Sequence, residues 1–259
     1  MEFSSVLFAF LLTLIAGLST GIGGAIPFFT KKLNIGFLCF SLGLSAGVMV
    51  YVSFMELFPS AITSLTGVFG IRKANFLALL FFFLGIFLLA IIDKLVPEEE
   101  NPHEFGDRNA SLHKVGIFSA LAIAIHNFPE GLAPFMGALS DPMTGFSITI
   151  AIAIHNIPEG ITVSAPIYYS TKSKWKAFRY AFFSGFAEPI GALLGFLFLR
   201  NFLNDTLFGL IYALVAGTMV YLSFDELLPT AENYGKHHMV IWGVIVGMLV
   251  MGLTIAFFA

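Results

Sequence analysis

The chain has 259 residues, of which 58% are hydrophobic and only 11% charged, with a formal net charge of -3. A soluble domain carries about 25% charge, so there is too little polar surface here to coat a globule in water, and the small net charge gives no reason to expect nucleic acid as a partner. The single cysteine, Cys39, excludes an internal disulfide and a thiolate zinc site.

Apolar runs of about 20 residues, long enough to cross a hydrocarbon core of about 30 Å, predict an all-α polytopic protein of eight transmembrane helices forming one domain over 1–259. Helix 1 is expected at 4–29. It is preceded by Met1-Glu2-Phe3, without the basic region of a secretory signal, and is read as a retained helix. Helix 2 (36–61) carries Glu56 toward one end, and helix 3 (74–94) leads into the longest connection, 95–113. That connection is polar and acidic, with Glu98, Glu99, Glu100, Glu104 and Asp107, and is too short for a soluble domain. Its two histidines, His103 and His113, are read as part of a solvated linker. Helix 4 (114–138) and helix 5 (143–168) each carry a polar motif near the middle. Helix 6 (175–199) carries Glu188 followed by proline, helix 7 (206–230) carries Asp225 and Glu226, and helix 8 (237–258) opens on His237 and His238 at the interface.

Ten of the thirteen Lys and Arg residues flank the ends of helices 1, 3, 5 and 7, among them Lys31, Lys32, Lys172, Lys174, Lys176 and Arg179. The positive-inside bias puts those loops in the cytoplasm and both termini outside.

Two internal repeats are present. Residues 122–131, AIAIHNFPEG, and 151–160, AIAIHNIPEG, differ at one position in ten. Residues 47–61, GVMVYVSFMELFPSA, match 217–231, GTMVYLSFDELLPTA, at ten positions of fifteen. Helices 4 and 5 run in opposite directions, and so do helices 2 and 7, so both echoes fit one pseudo-twofold axis in the membrane plane. Helices 1–3 are then mirrored by helices 6–8, flanking helices 4 and 5. Inverted repeats of this kind place a binding site near the midplane of a transporter.

The repeated motif supplies His126, Asn127 and Glu130 on helix 4 and His155, Asn156 and Glu159 on helix 5, with Glu188 on helix 6. Each ionised carboxylate at mid-membrane costs about 3 kcal/mol even on lenient insertion scales, and three together without cations would be held neutral. Bound divalent ions remove that cost. At about 100° per residue, Glu130 lies roughly 40° from His126 and Asn127 roughly 100° from it, so the glutamate sits between its two neighbours. One metal position then takes His126, Glu130, His155 and Glu159. A second takes Asn127, Glu130, Asn156, Glu159 and Glu188, with the two glutamates bridging. Imidazole with carboxylate suits Zn²⁺, Fe²⁺, Mn²⁺ or Co²⁺, and the absence of thiolate argues against Cu(I). Pro129 and Pro158 leave the carbonyls of Ile125 and Ile154 without their helical donors.

The twin HNFPEG and HNIPEG motifs, the SGFAEP segment of helix 6 and the eight crossings resemble the ZIP (zinc/iron permease) family over essentially the whole chain. The compact size is most similar to its bacterial branch. The resemblance implies uptake of divalent metal through the cell membrane into the cytoplasm. Zn²⁺ is the expected substrate, Fe²⁺, Mn²⁺, Co²⁺ and Cd²⁺ are further candidates, and no resident cofactor is implied. It also implies a binuclear site at the positions just named.

Glu56, near the outer end of helix 2, and its repeat partner Glu226, beside Asp225 near the inner end of helix 7, read as an entrance and an exit. The pairs Gly43/Gly47, Gly191/Gly195 and Gly243/Gly247 have small-xxx-small spacing, which serves contacts within a chain or in a homodimer. The rival reading is an intramembrane di-metal enzyme of the di-iron type, whose cores use bridging carboxylates and histidines. The Glu-x-x-His spacing that such cores use is absent from the predicted helices.

Overall fold

A computed structural model describes residues 3–29, 34–95, 112–202 and 204–258. Most of the 95–113 connection, with His103, therefore lies outside the described residues, as does the side chain of His113. Every described element is helical. Helix 1 is Phe3–Phe29, helix 3 is Ile71–Leu95, helix 5 is Pro142–Thr171 and helix 8 is His237–Phe258. Helix 2 runs unbroken over Ile35–Phe69, eight residues beyond the end expected from hydropathy. Helix 4 is Leu112–Glu130 followed by Leu132–Ser140, and helix 6 is Lys174–Gly185 followed by Ala187–Leu199. Helix 7 occupies Asp205–Asn233. Seven of these are long and apolar enough to cross a membrane by themselves, and helix 4, divided at Gly131, makes the eighth.

The helix ends follow local chemistry. Asn34, Asp141, Ser173 and Asn204 each accept a backbone N–H of the first turn that follows them, one of the donors a helix start leaves unpaired. Helix 4 breaks at Gly131, two residues past Pro129, whereas helix 5 passes Pro158 without a break. The proline is the same in both motifs, so it does not decide the break. Helix 6 breaks at Phe186, two residues before Glu188.

Helices 2 and 7 each contain a π-turn, Ser53–Leu57 and Ser223–Leu227, at equivalent positions of the repeat. Ser53 Oγ donates to the Met49 carbonyl at 2.7 Å and Ser223 Oγ donates to the Met219 carbonyl at 2.8 Å. In both repeats the hydroxyl thus binds the carbonyl four residues back, at the start of the π-turn. Single π-turns of this kind occur frequently at functional sites.

The helices pack as two groups of four. Helices 1, 4, 5 and 6 form one group and helices 2, 3, 7 and 8 the other, so each group draws helices from both repeats. Within the groups, backbones approach so closely that only glycine fits. A Cβ on Gly47 would strike the carbonyl of Val244, and one on Gly247 would strike that of Leu44. The crossing of helices 3 and 7 repeats this lock, Gly217 lying on the Phe82 carbonyl and Gly85 on that of Leu214. In the other group, Gly191 lies on the Phe128 carbonyl and Gly131 on that of Glu188, while Gly23 lies on the Ile157 carbonyl and Gly160 on that of Thr20. Each glycine stands three residues beyond the carbonyl that its partner covers. Such backbone contact is the main source of helix association in lipid, where apolar side chains gain little by leaving the tails.

Candidate metal site

The residues singled out by the motif converge inside the group of helices 1, 4, 5 and 6. Asn127, Glu130, His155, Asn156, Glu159 and Glu188 are all 0% exposed. His126 belongs to helix 4, but its side chain lies outside the described residues. The glycine ending each motif explains how the segment is seated. Gly131 rests on the Glu188 backbone and so ties helix 4 to the residue that contributes the third carboxylate. Gly160 rests on Thr20 and ties helix 5 to helix 1.

Contacts run between the two copies of the motif. His155 Nε2 stands 2.8 Å from Glu130 Oε1, a close imidazole–carboxylate contact between the two motifs. The His155 carbonyl accepts Ser45 Oγ from helix 2 at 3.3 Å, a link from the second group of helices to the site. Asn156 Nδ2 donates to Glu188 Oε1 and to the Ala16 carbonyl, the latter at 2.9 Å. Asn127 Nδ2 donates to the Ser184 carbonyl at 3.3 Å. The two asparagines thus spend their donors on helices 1 and 6, which leaves their oxygens free for a cation.

The acceptors match that need. Asn127 Oδ1, Asn156 Oδ1 and Glu188 Oε2 are buried without a hydrogen-bond donor among the described residues. A buried acceptor without a donor costs about 1–3 kcal/mol. The carboxylates of Glu130 and Glu159 also act on Glu188 through space, like charge on like charge. A divalent cation relieves both penalties, and the donor set of imidazole, carboxylate and amide oxygen fits Zn²⁺ or a slightly harder ion. Among the described residues no three His, Cys, Asp or Glu side chains close on a single point. The side chains meet instead in pairs, Glu130 with His155 and Asn156 with Glu188.

The residues assigned to an access path lie on helices 2 and 7, in the other group. Glu56 and Glu226 occupy the same place in the two π-turns, Glu56 half-buried and Glu226 9% exposed, with Asp225 half-buried beside it. His237 and Glu232 form an exposed pair at 2.6 Å at the start of helix 8. Sequence reasoning missed the π-turns, although the shared Ser-Phe-x-Glu-Leu string marks them, and it gave no role to the glycine of the motif.

Residues 97–255 match the family model described as ZIP Zinc transporter. The chain is 53% identical over 277 residues to a protein of Clostridium perfringens named Zinc transporter ZupT, covering 98% of this chain and 97% of that one. A protein of the same name from Chlorobaculum parvum is 55% identical over 264 residues, with 98% of each chain covered. Another from Streptococcus mutans is 54% identical over 256 residues, covering 96% of this chain and 97% of its own.

Proposed function

The chain belongs to the ZIP zinc transporter family, and from that premise we propose that it takes up Zn²⁺ into the cytoplasm through a binuclear site formed by His126, Asn127, Glu130, His155, Asn156, Glu159 and Glu188. The observation that carries the assignment is the burial of three carboxylates among oxygens that lack donors, in the middle of apolar helices. Such a cluster keeps its carboxylates ionised only with cations in it. Glu130 and Glu159 are the bridging groups, because each lies between the histidine and the asparagine of its own motif. Fe²⁺, Mn²⁺, Co²⁺ and Cd²⁺ are further substrates, admitted by the oxygen-rich side of the site.

The domain 1–259 works as one multi-pass transport unit in the cell membrane, with both termini outside. Transport is by alternating access. Helices 1, 4, 5 and 6 carry the metal ligands and are locked to one another by glycine contacts, as are helices 2, 3, 7 and 8. Two groups that are each rigid are suited to moving as bodies, one against the other. Glu56 and Glu226 with Asp225 serve the two mouths of the path. A family of transporters disfavours the di-metal enzyme, and no observation calls for it.

The test is purified protein in proteoliposomes with Zn²⁺, Fe²⁺, Mn²⁺ or Cd²⁺ outside and a metal-reporting dye inside. Saturable flux that Glu130→Ala and Glu159→Ala abolish is the expected result. Absent flux, or flux that both variants retain, overturns the assignment.

A further inference from the structure

The pseudo-twofold axis pairs every element of the site with a counterpart, and it identifies one for Glu188. Helices 4 and 5 correspond through their motifs, Phe128 with Ile157 and Gly131 with Gly160. Gly191 lies on the Phe128 carbonyl as Gly23 lies on that of Ile157, so Gly191 corresponds to Gly23. Gly131 lies on the Glu188 carbonyl as Gly160 lies on that of Thr20, so Glu188 corresponds to Thr20.

Two further contacts keep the same register. Asn127 donates to the Ser184 carbonyl and Asn156 to that of Ala16, each acceptor four residues before the Glu188 or Thr20 position. Gly17 and Gly185 each approach the other's carbonyl and are themselves counterparts, so the axis passes between them.

We infer that Thr20 is a metal-binding residue of the site, supplying a neutral oxygen where the other half supplies the carboxylate of Glu188. Its side chain is 0% exposed, and Oγ1 has no hydrogen-bond partner among the described residues. That is unusual for a helical threonine in apolar surroundings: Thr13 of the same helix turns its hydroxyl back to the Ala9 carbonyl at 3.1 Å. The Asn127 oxygen lacks a partner as well. Since Asn156 binds Glu188, symmetry matches Asn127 with Thr20, and the two unpartnered oxygens form the complementary side of the Asn-lined metal position. The chemistry sets the role. A fourth carboxylate would balance two divalent ions completely and hold them, whereas a hydroxyl adds an oxygen ligand without charge and leaves the ions able to depart.

This inference rests on the transport reading above, and the test separates the two. Full-length wild type, Glu188→Ala, Thr20→Val and Thr20→Ser are compared in proteoliposomes for Zn²⁺ and Mn²⁺ flux, with Co²⁺ absorption recorded on the purified proteins. Valine keeps the shape and removes the oxygen. Thr20→Val is expected to raise KM for Mn²⁺ about tenfold and for Zn²⁺ about threefold, since the harder ion depends more on oxygen ligands, with kcat within about twofold. Thr20→Ser is expected to restore both. The visible Co²⁺ bands should strengthen in Thr20→Val as the coordination number falls. Unchanged KM and Co²⁺ spectra in a folded Thr20→Val protein overturn the inference, as does an equal loss for both metals that serine does not rescue. If valine prevents folding, Thr20→Ala is read by the same criteria. Flux lost in Glu188→Ala but intact in Thr20→Val removes Thr20 alone, whereas no flux in the wild type removes the transport reading and this inference with it.

Discussion

Glu130 of one motif meets His155 of the other, carboxylate oxygen to imidazole nitrogen at 2.8 Å, with both side chains wholly buried. The two copies of the motif therefore touch each other inside the helix bundle. His155→Gln should lower Zn²⁺ affinity by at least about tenfold and Mn²⁺ affinity by less, because losing an imidazole weighs more on the softer ion. Competition between the two metals for binding to the purified protein measures this. An equal loss of both counts against two chemically distinct metal positions.

The glycine contacts give a second prediction. Gly131→Ala and Gly160→Ala place a methyl group on the backbones of Glu188 and Thr20, and overpacking of this kind costs about 1–3 kcal/mol. Both variants should unfold earlier on heating in detergent and lose most metal flux. Gly67→Ala is the control, since nothing lies within 4 Å of its added methyl. It should keep full flux and gain up to about 1 kcal/mol, as a helical glycine replaced by alanine does. Thermal unfolding followed by size-exclusion chromatography ranks the three.

Much of this could be read from the sequence, and what could not has physical reasons. Hydropathy locates eight crossings because lipid tolerates little else, and the HNxPEG pair marks the buried polar cluster because its side chains are visible in residue type. The mirror of helices 2 and 7 is legible from Tyr, Ser, Glu and Pro held in register. The mirror of helices 1 and 6 is not: AGLSTGIGGA and SGFAEPIGAL, at 16–25 and 184–193, share only Gly17/Gly185, Ile22/Ile190 and Gly23/Gly191. Their equivalence lies in which carbonyl each glycine covers, a backbone relation that residue identity hardly encodes. The division into two groups is likewise invisible, since a repeat shows which helices correspond and not which ones touch. Proline misleads about the break in helix 4, because Pro158 is accommodated in an unbroken helix while the chain turns at Gly131.

Asp141 caps helix 5, accepting Thr144 N at 2.8 Å and Thr144 Oγ1 at 3.0 Å. These hydrogen bonds hold its carboxyl below the usual range. A carboxylate with a lowered folded pKa stabilises the folded state above the unfolded value of about 3.9 and loses that effect as the pH falls through the folded value. Asp141→Ala should therefore cost about 1 kcal/mol at neutral pH, the usual worth of a cap. The difference from wild type should shrink below about pH 4. Thermal melts at pH 7 and near pH 3 check the sign.

The π-turns set Glu56 and Glu226 at equivalent places in the two repeats. If they serve opposite mouths, their neutral variants should fail differently. Glu56→Gln should raise KM for Zn²⁺ a fewfold with kcat kept, while Glu226→Gln should lower kcat with KM kept. Initial rates in oriented vesicles separate the two, and identical effects would mean that the pair does not straddle the path.

The reciprocal glycine contacts lie inside each group of four helices, and this bears on how the protein exchanges its amide protons. Backbones pressed together without intervening side chains open only when a whole crossing opens, so their amides should be among the last to take up deuterium. Two slow blocks are expected, one around Gly23, Gly131, Gly160 and Gly191, the other around Gly47, Gly85, Gly217 and Gly247. Amides along the seam where Ser45 reaches the His155 carbonyl should label sooner, and the time course would outline which parts of the molecule breathe as units.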